Sequence, residues 1–244
     1  MRALAAAVVT IMVLTACSSD ESAPSTTTAT TLSTGTTTST TLGDGTGPVT
    51  LTTTDGLLLE GTVAGEGDEW VVLAHMRPAD MTSWEPFARE LADAGFRSLA
   101  FNFRGYANSE GSGFAVDIDT VAAVEFALVS GAEAVWIIGA SMGGTGALAA
   151  AAEVPGIKGV VTLSAPLVFE GVDGLAAARA AGVPVLPIAA AGDDPYAAYA
   201  LEIAAATPDA ASLDRMEVGG SEHGTDLLTD TVAFSILEWL EATR

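Results

Sequence analysis

In AVWIIGASMGGTGALAA, residues 134–150, a run of apolar side chains passes through Gly139-Ala140-Ser141-Met142-Gly143 directly into a helix start built from glycine, alanine and threonine. The unbroken apolar run Ala134 to Ile138 does not alternate, which suits a strand covered on both faces. Glycines on either side of Ser141 let the following helix pack back at contact distance against the strand it leaves, an approach that bulky side chains would block. The segment therefore reads as strand, sharp turn, helix. Units of this kind in series give a mostly parallel sheet with helices on both faces.

The remainder of the chain after Pro48 has the same texture. Val49–Thr54 and Leu57–Ala64, separated by Asp55-Gly56, read as an antiparallel hairpin. Further strands are expected at Trp70–His75, Phe96–Phe103, Ala134–Gly139, Ile157–Ser164, Val183–Ala191 and Leu213–Val218. Helical spacing places Trp84, Phe87, Ala88 and Leu91 on one face, and predicts helices over Val121–Val129, Gly143–Glu153, Tyr196–Ala206 and Asp226–Glu241. A helix is also expected to begin near Gly171. The few residues Ala165 to Glu170 before it leave no room for a cap domain, so a site on this sheet should be open. In such sheets function sits at the carboxyl ends of the strands.

The first part of the chain is different. Met1-Arg2, an apolar run from Ala3 to Leu14, and Leu14-Thr15-Ala16-Cys17 together resemble a bacterial lipoprotein signal. The run is too short to span a bilayer as a helix. The resemblance implies cleavage after residue 16 and lipid attachment at Cys17, with the mature protein held at the extracytoplasmic face of the cell membrane. From Ser18 to Gly47, 12 of 30 residues are Thr and 6 are Ser, too polar to offset the entropy of ordering, so a disordered stalk is expected. As a flexible coil it would span roughly 30 Å. The organisation expected is thus signal peptide 1–16, anchored cysteine and stalk 17–47, and a single folded domain 48–244.

Composition removes several function classes. Nine Lys and Arg stand against 31 Asp and Glu, a formal charge of −22, which opposes binding to nucleic acid. Cys17 is the chain's one cysteine, so no intrachain disulfide or multi-cysteine metal site is available. No His/Asp/Glu cluster suggests a metal, and Gly143-Gly144-Thr145-Gly146 lacks the lysine of a phosphate loop. Neither metal nor cofactor is expected, and the chain is expected to be a monomer.

A G-x-S-x-G pentapeptide alone is a weak signal, but one set between a buried strand and a small-residue helix is the setting of a nucleophile elbow. A serine hydroxyl needs a base, and the chain offers two histidines, His75 and His223. His223, in GSEHGTDLL, lies between the last strand and the last helix. The strand order, the elbow and this C-terminal histidine resemble the α/β-hydrolase family over residues 49–244. The resemblance implies a triad in the order Ser, acid, His. Its acid would follow the strand Val183–Ala191, at Asp194 or, alternatively, Asp193; either aspartate could instead cap the next helix.

In that family the strand ending at His75 usually continues His-Gly and then supplies an oxyanion donor. Here the sequence is His75-Met76-Arg77-Pro78, so the resemblance implies backbone N–H donors at Met142 and Arg77, with Met76 as the other candidate. His75 itself is read as structural, satisfying loop backbone groups. The same loop, and FNFRGYANSEG with Asn102 where relatives more often carry Asp, are similar to dienelactone-hydrolase-like members. Those relatives often use cysteine as nucleophile, so their substrate does not transfer. The expectation is a serine hydrolase acting on a small-molecule acyl substrate, most simply an ester, with peptidase, thioesterase or carbon–carbon bond hydrolase activity as alternatives. The competing reading from another class is a surface binding protein on a non-catalytic hydrolase scaffold.

Overall fold

The structure, a computed structural model, describes residues 45–207 and 218–244. Cys17, the signal segment and the stalk up to residue 44 lie outside the described residues, as does the expected strand Leu213–Val218 apart from Val218.

Among the described residues the fold is built on a seven-stranded sheet. In chain order its strands are β1 Gly47–Thr52, β2 Leu58–Ala64, β3 Glu69–Ala74, β4 Arg97–Phe101, β5 Ala134–Ala140, β6 Ile157–Leu163 and, after a minor two-stranded hairpin, Val185–Ile188. The hairpin is β7 Val168–Phe169 with β8 Val172–Asp173, which makes Val185–Ile188 β9. Spatial order is β1-β2-β4-β3-β5-β6-β9. β1, β2 and β4 pair antiparallel and every later pairing is parallel. The mostly parallel sheet with an N-terminal antiparallel hairpin, β1–β2, is as expected from the sequence, and β1 forms one edge.

The parallel strands are buried on both faces, and their side chains divide strictly by alternation. Trp70, Val72 and Ala74 of β3, with Val135 and Ile137 of β5, face one helical layer; Val71, Leu73, Trp136 and Ile138 face the other. The first layer contains α2 Val116–Val129, α3 Met142–Glu153, α4 Gly174–Ala181 and α5 Tyr196–Ala206; the second contains α1 Glu85–Asp93 and α6 Asp230–Ala242. Trp136 also ties the sheet to the end of α6, donating from Nε1 to Thr243 Oγ1 at 2.9 Å.

Several boundaries differ from expectation for identifiable reasons. α2 starts at Val116, five residues before the apolar periodicity begins, because Asp117 and Asp119 in its first turn suit a helix N-terminus. The last helix does not begin at Asp226. A short 3-10 turn, Gly224–Leu227, ends before Thr229, whose hydroxyl caps α6 by accepting from Val232 N–H. The strand expected to run to Ala191 stops at Ile188, with only an isolated parallel bridge between Ala190 and Val218 beyond it. The connection from β6 to α4 folds back as the β7–β8 hairpin, and α4 begins at Gly174, capped by Asp173.

One buried charge cluster fixes the loop after β4. Arg104 donates from Nη2 and Nε to Asp119 at 2.7 and 2.9 Å and from Nη1 to Asp55 at 2.8 Å, while Arg104 N–H donates to Asp119 Oδ2 at 2.9 Å. Asp119 is fully buried, so its charge depends on these donors. The cluster joins the β1–β2 turn, the β4 loop and α2. It thereby holds Phe103 beside the end of β3.

Candidate active site

The ends of β3, β5, β6 and β9 converge at one edge of the sheet, and the candidate residues follow them. Ser141 connects β5 to α3 with φ 48° and ψ −118°. This is a left-handed backbone for a non-glycine residue, a conformation that persists only where its surroundings impose it. Here the imposing surroundings are close backbone contacts. A Cβ on Gly139 would stand 2.6 Å from Gly144 N, and one on Gly143 would stand 2.7 Å from the carbonyl carbon of Ala74 and 2.8 Å from His75 O. The glycines therefore let α3 sit directly on β3 and β5. Ser141 N–H donates to Leu163 O at 2.7 Å, which pins the turn to the end of β6. Met142 is the first residue of α3, and its N–H has no acceptor among the described residues.

The loop after β3 lies against the same turn. His75 is fully buried and has both ring nitrogens engaged: Nδ1 donates to Met76 O at 2.9 Å, and Nε2 accepts from Phe103 N–H at 3.2 Å. A carbonyl can only accept and an N–H can only donate, so the partners fix a neutral Nδ1–H tautomer. Burial lowers the pKa of the imidazole to about 4, against a smaller opposing effect of the Met76 carbonyl. The expectation that His75 satisfies loop backbone holds in the geometry.

Met76, which replaces the usual glycine, packs its side chain over Gly224: a Cβ there would meet Met76 Sδ, with Met76 Cβ and Ala140 Cβ each 3.5 Å away. Met76 thus fills the space left by a glycine across the site. The N–H groups of Met76 and Arg77 have no acceptor among the described residues, so the structure leaves both as candidate donors. The Arg77 guanidinium lies over the Phe114 ring, 5.8 Å from its centroid, and Phe114 packs edge-on against Phe169.

His223 follows the bridge residue Val218. Its Nδ1 donates to Asp193 Oδ2 at 2.9 Å and Oδ1 at 3.2 Å. The acid brought to His223 is thus Asp193 and not Asp194, the residue expected first. The cause is the early end of β9. Asp193 N–H closes a turn onto Ala190 O at 3.0 Å and Gly192 N–H donates to Gly220 O at 2.9 Å, so Asp193 faces the 218–224 segment and is buried, whereas Asp194 is exposed. Neither aspartate caps α5, whose N-cap is Pro195 without a side-chain bond.

Two contacts here were not anticipated from the sequence. The ring of Tyr196, first residue of α5, packs edge-on against His223 with centroids 4.4 Å apart. Ser164, at the end of β6, donates from Oγ to Asp193 Oδ2 at 2.6 Å. No local motif marks either residue. Only the position of Ser164 after a buried strand, and of Tyr196 next to the acid loop, gives a hint.

Asn102 also has a reason to differ from Asp. Its amide donates to Glu60 Oε2 at 2.9 Å while its Oδ1 accepts from Met81 N–H at 2.8 Å. A second carboxylate there would face Glu60 without a donor between them.

A strained serine between a buried strand and a helix, at the carboxyl edge of a sheet with this strand order, defines a hydrolase-type scaffold. The chain belongs to the alpha/beta hydrolase fold family, whose model matches residues 69–199. A sequence search of curated proteins finds no match. Among solved structures the fold is similar to that of an esterase from Pyrococcus furiosus, with a TM-score of 0.68 at 19% identity over 81% of this chain and 92% of that one. It is also similar to a thermophilic esterase from Thermogutta terrifontis, with a TM-score of 0.62 at 20% identity over 80% of this chain and 98% of the other. An enol-lactonase from Burkholderia xenovorans gives a TM-score of 0.62 at 17% identity over 79% and 100% of the two chains. At these identities the likeness is one of fold.

The buried neutral state of His75 has a measurable consequence. A histidine with a pKa near 6.5 when unfolded and about 4 when folded gives stability that is complete above pH 6.5 and drains away as pH falls toward 4. The linked free energy is about 3 kcal/mol. His75→Ala should therefore be less stable than the parent at pH 7, and the gap in unfolding free energy should narrow by about that amount between pH 7 and pH 4. Denaturant titrations at the two pH values measure it, and a gap independent of pH would contradict a buried neutral imidazole.

Proposed function

We propose that the protein is a serine hydrolase that cleaves short acyl esters through an acyl-enzyme, with Ser141 as nucleophile, His223 as base and Asp193 as the group orienting the imidazole. The observation that carries this reading is the pairing of two constraints. A serine is held at φ 48° in a strand-to-helix turn, and a histidine at the same sheet edge has its Nδ1–H taken by a buried carboxylate. With Nδ1 protonated, Nε2 is the nitrogen that carries the lone pair, which is what a base toward the serine requires.

In this proposal Nε2 accepts the Ser141 proton as Oγ bonds to the acyl carbon, and the carbonyl electron pair moves onto oxygen. The unpartnered N–H of Met142, with that of Arg77 or Met76, would meet the developing charge. The intermediate collapses by expelling the alcohol, which takes the proton back from Nε2. Water then repeats both steps on the acyl-enzyme, releasing the acid and restoring Ser141. Asp193 keeps its hydrogen bond to Nδ1 and stabilises the imidazolium that forms in each half.

The preference for short acyl groups rests on the β6–α4 connection, which adds only the β7–β8 hairpin beside the site and so little apolar wall for a long chain. The same proposal tethers the domain at the extracytoplasmic face of the membrane through a lipid on Cys17. Its support is the character of residues 1–47: an apolar leader, the chain's one cysteine and a Ser/Thr-rich tract.

Hydrolysis of p-nitrophenyl esters of increasing length tests the activity. kcat/KM should be highest for acetate or butyrate. Ser141→Ala and His223→Ala should each lower it about a thousandfold or more, and the double variant should fall little further, because the two groups act together. Asp193→Asn should cost about a hundredfold or more and Asp194→Asn less than about threefold. Retained activity in Ser141→Ala would overturn the mechanism, and a strong preference for long chains would overturn the substrate class. For the anchor, Cys17→Ser should move the protein from the membrane fraction to the soluble fraction with kcat/KM unchanged; a variant that still fractionates with membranes would contradict lipid attachment at this residue.

A further inference from the structure

Ser164 follows directly on β6 with φ 55°, one of four described non-glycine residues at positive φ, and it is fully buried. Its N–H donates to Ile188 O at 2.8 Å, which fixes its backbone to the end of β9. Its hydroxyl stands between two segments of the candidate site. Oγ donates to Asp193 Oδ2 at 2.6 Å and accepts from Gly224 N–H at 3.2 Å.

The direction of these bonds is not free. Gly224 N–H can only donate, so it occupies a lone pair of Oγ, and the single hydroxyl proton is turned to the carboxylate. At 2.6 Å this O–H···O bond is at the short end of the usual range. Asp193 Oδ2 also accepts from His223 Nδ1, and Gly224 is the residue next to His223, so the contacts close a ring: Gly224 N–H to Ser164 Oγ, Ser164 to Asp193, Asp193 to the His223 ring, and the His223 backbone to Gly224.

Glycine is the residue a left-handed buried turn would ordinarily hold, and a serine there carries a backbone cost that glycine would not. What the serine adds over glycine is the hydroxyl, and the hydroxyl is spent on the acid.

We infer that Ser164 is a positioning residue. It fixes the plane of the Asp193 carboxylate toward His223 and ties the acid to the backbone that bears the histidine. The inference rests on the hydrolase reading given above and adds to it a fourth member acting through Asp193. Removing the hydroxyl leaves Gly224 N–H without a buried acceptor and the carboxylate held by the imidazole alone.

The pair Ser164→Ala and Ser164→Gly separates this role from a purely structural one. Both lose the hydroxyl, but glycine accepts φ 55° without strain, so Ser164→Gly should be the more stable of the two. Measured on the full chain with p-nitrophenyl acetate, both should lose kcat by about tenfold or more with KM within about twofold, in keeping with one hydrogen bond to a charged group. In an Asp193→Asn background, Ser164→Ala should cost less than about threefold further, because its effect passes through the same carboxylate. Wild-type kcat in both single variants, alongside a large loss in Asp193→Asn, would overturn the inference while leaving the hydrolase reading intact. Near-wild-type kcat in Ser164→Gly alone, with activity following stability, would overturn it in favour of a backbone role. Failure of the unaltered protein to cleave any ester would overturn the hydrolase reading and this inference together.

Discussion

The contact of α3 with the sheet through its glycines is the constraint on which the rest of the site depends. Gly139 and Gly143 remove the side chains that would separate the helix from β3 and β5, and Gly144 and Gly146 do the same toward Ala165 and the start of α2. Because the helix begins at contact distance from the strand it leaves, the connecting residue has no extended route and is forced to φ 48°. The strain is local. It is held by a core in which β5 is fully buried along its length and packs helices on both faces.

Around that turn the two histidines are treated in opposite ways, and the difference is physical. His75 is sealed in, with both nitrogens bonded to backbone and the charged form excluded by desolvation. It organises the loop that carries the Met76 and Arg77 N–H groups. His223 is partly exposed, has one nitrogen held by a buried carboxylate and packs its ring against Tyr196. One imidazole is fixed as structure and the other stands partly exposed at the sheet edge that carries Ser141.

Much of this was legible in the sequence wherever steric necessity writes itself into residue type. The unbroken apolar runs announced strands covered on both faces, the Gly-flanked Ser141 announced the turn, and helical spacing announced α5 over Tyr196–Ala206. The choice between adjacent aspartates was not legible. It depends on where β9 stops, and an apolar tract that runs on to Ala191 hides a strand that ends at Ile188. The contacts of Ser164 and Tyr196 were hidden for a related reason: they join segments distant in sequence through bonds that any serine or tyrosine could make. The anchor and stalk rest on sequence alone, since they lie outside the described residues.

The central claim is that Ser141 is a nucleophile activated by its surroundings and not merely a residue in a tight turn. A fluorophosphonate reacts covalently with an activated serine and ignores an ordinary hydroxyl, so peptide mapping after brief exposure measures the claim at one atom. The account predicts a single phosphonyl adduct on the peptide containing Ser141, slowed by orders of magnitude in His223→Ala. An unlabelled Ser141 in a folded protein that still hydrolyses esters, or an adduct on a different residue, would contradict it.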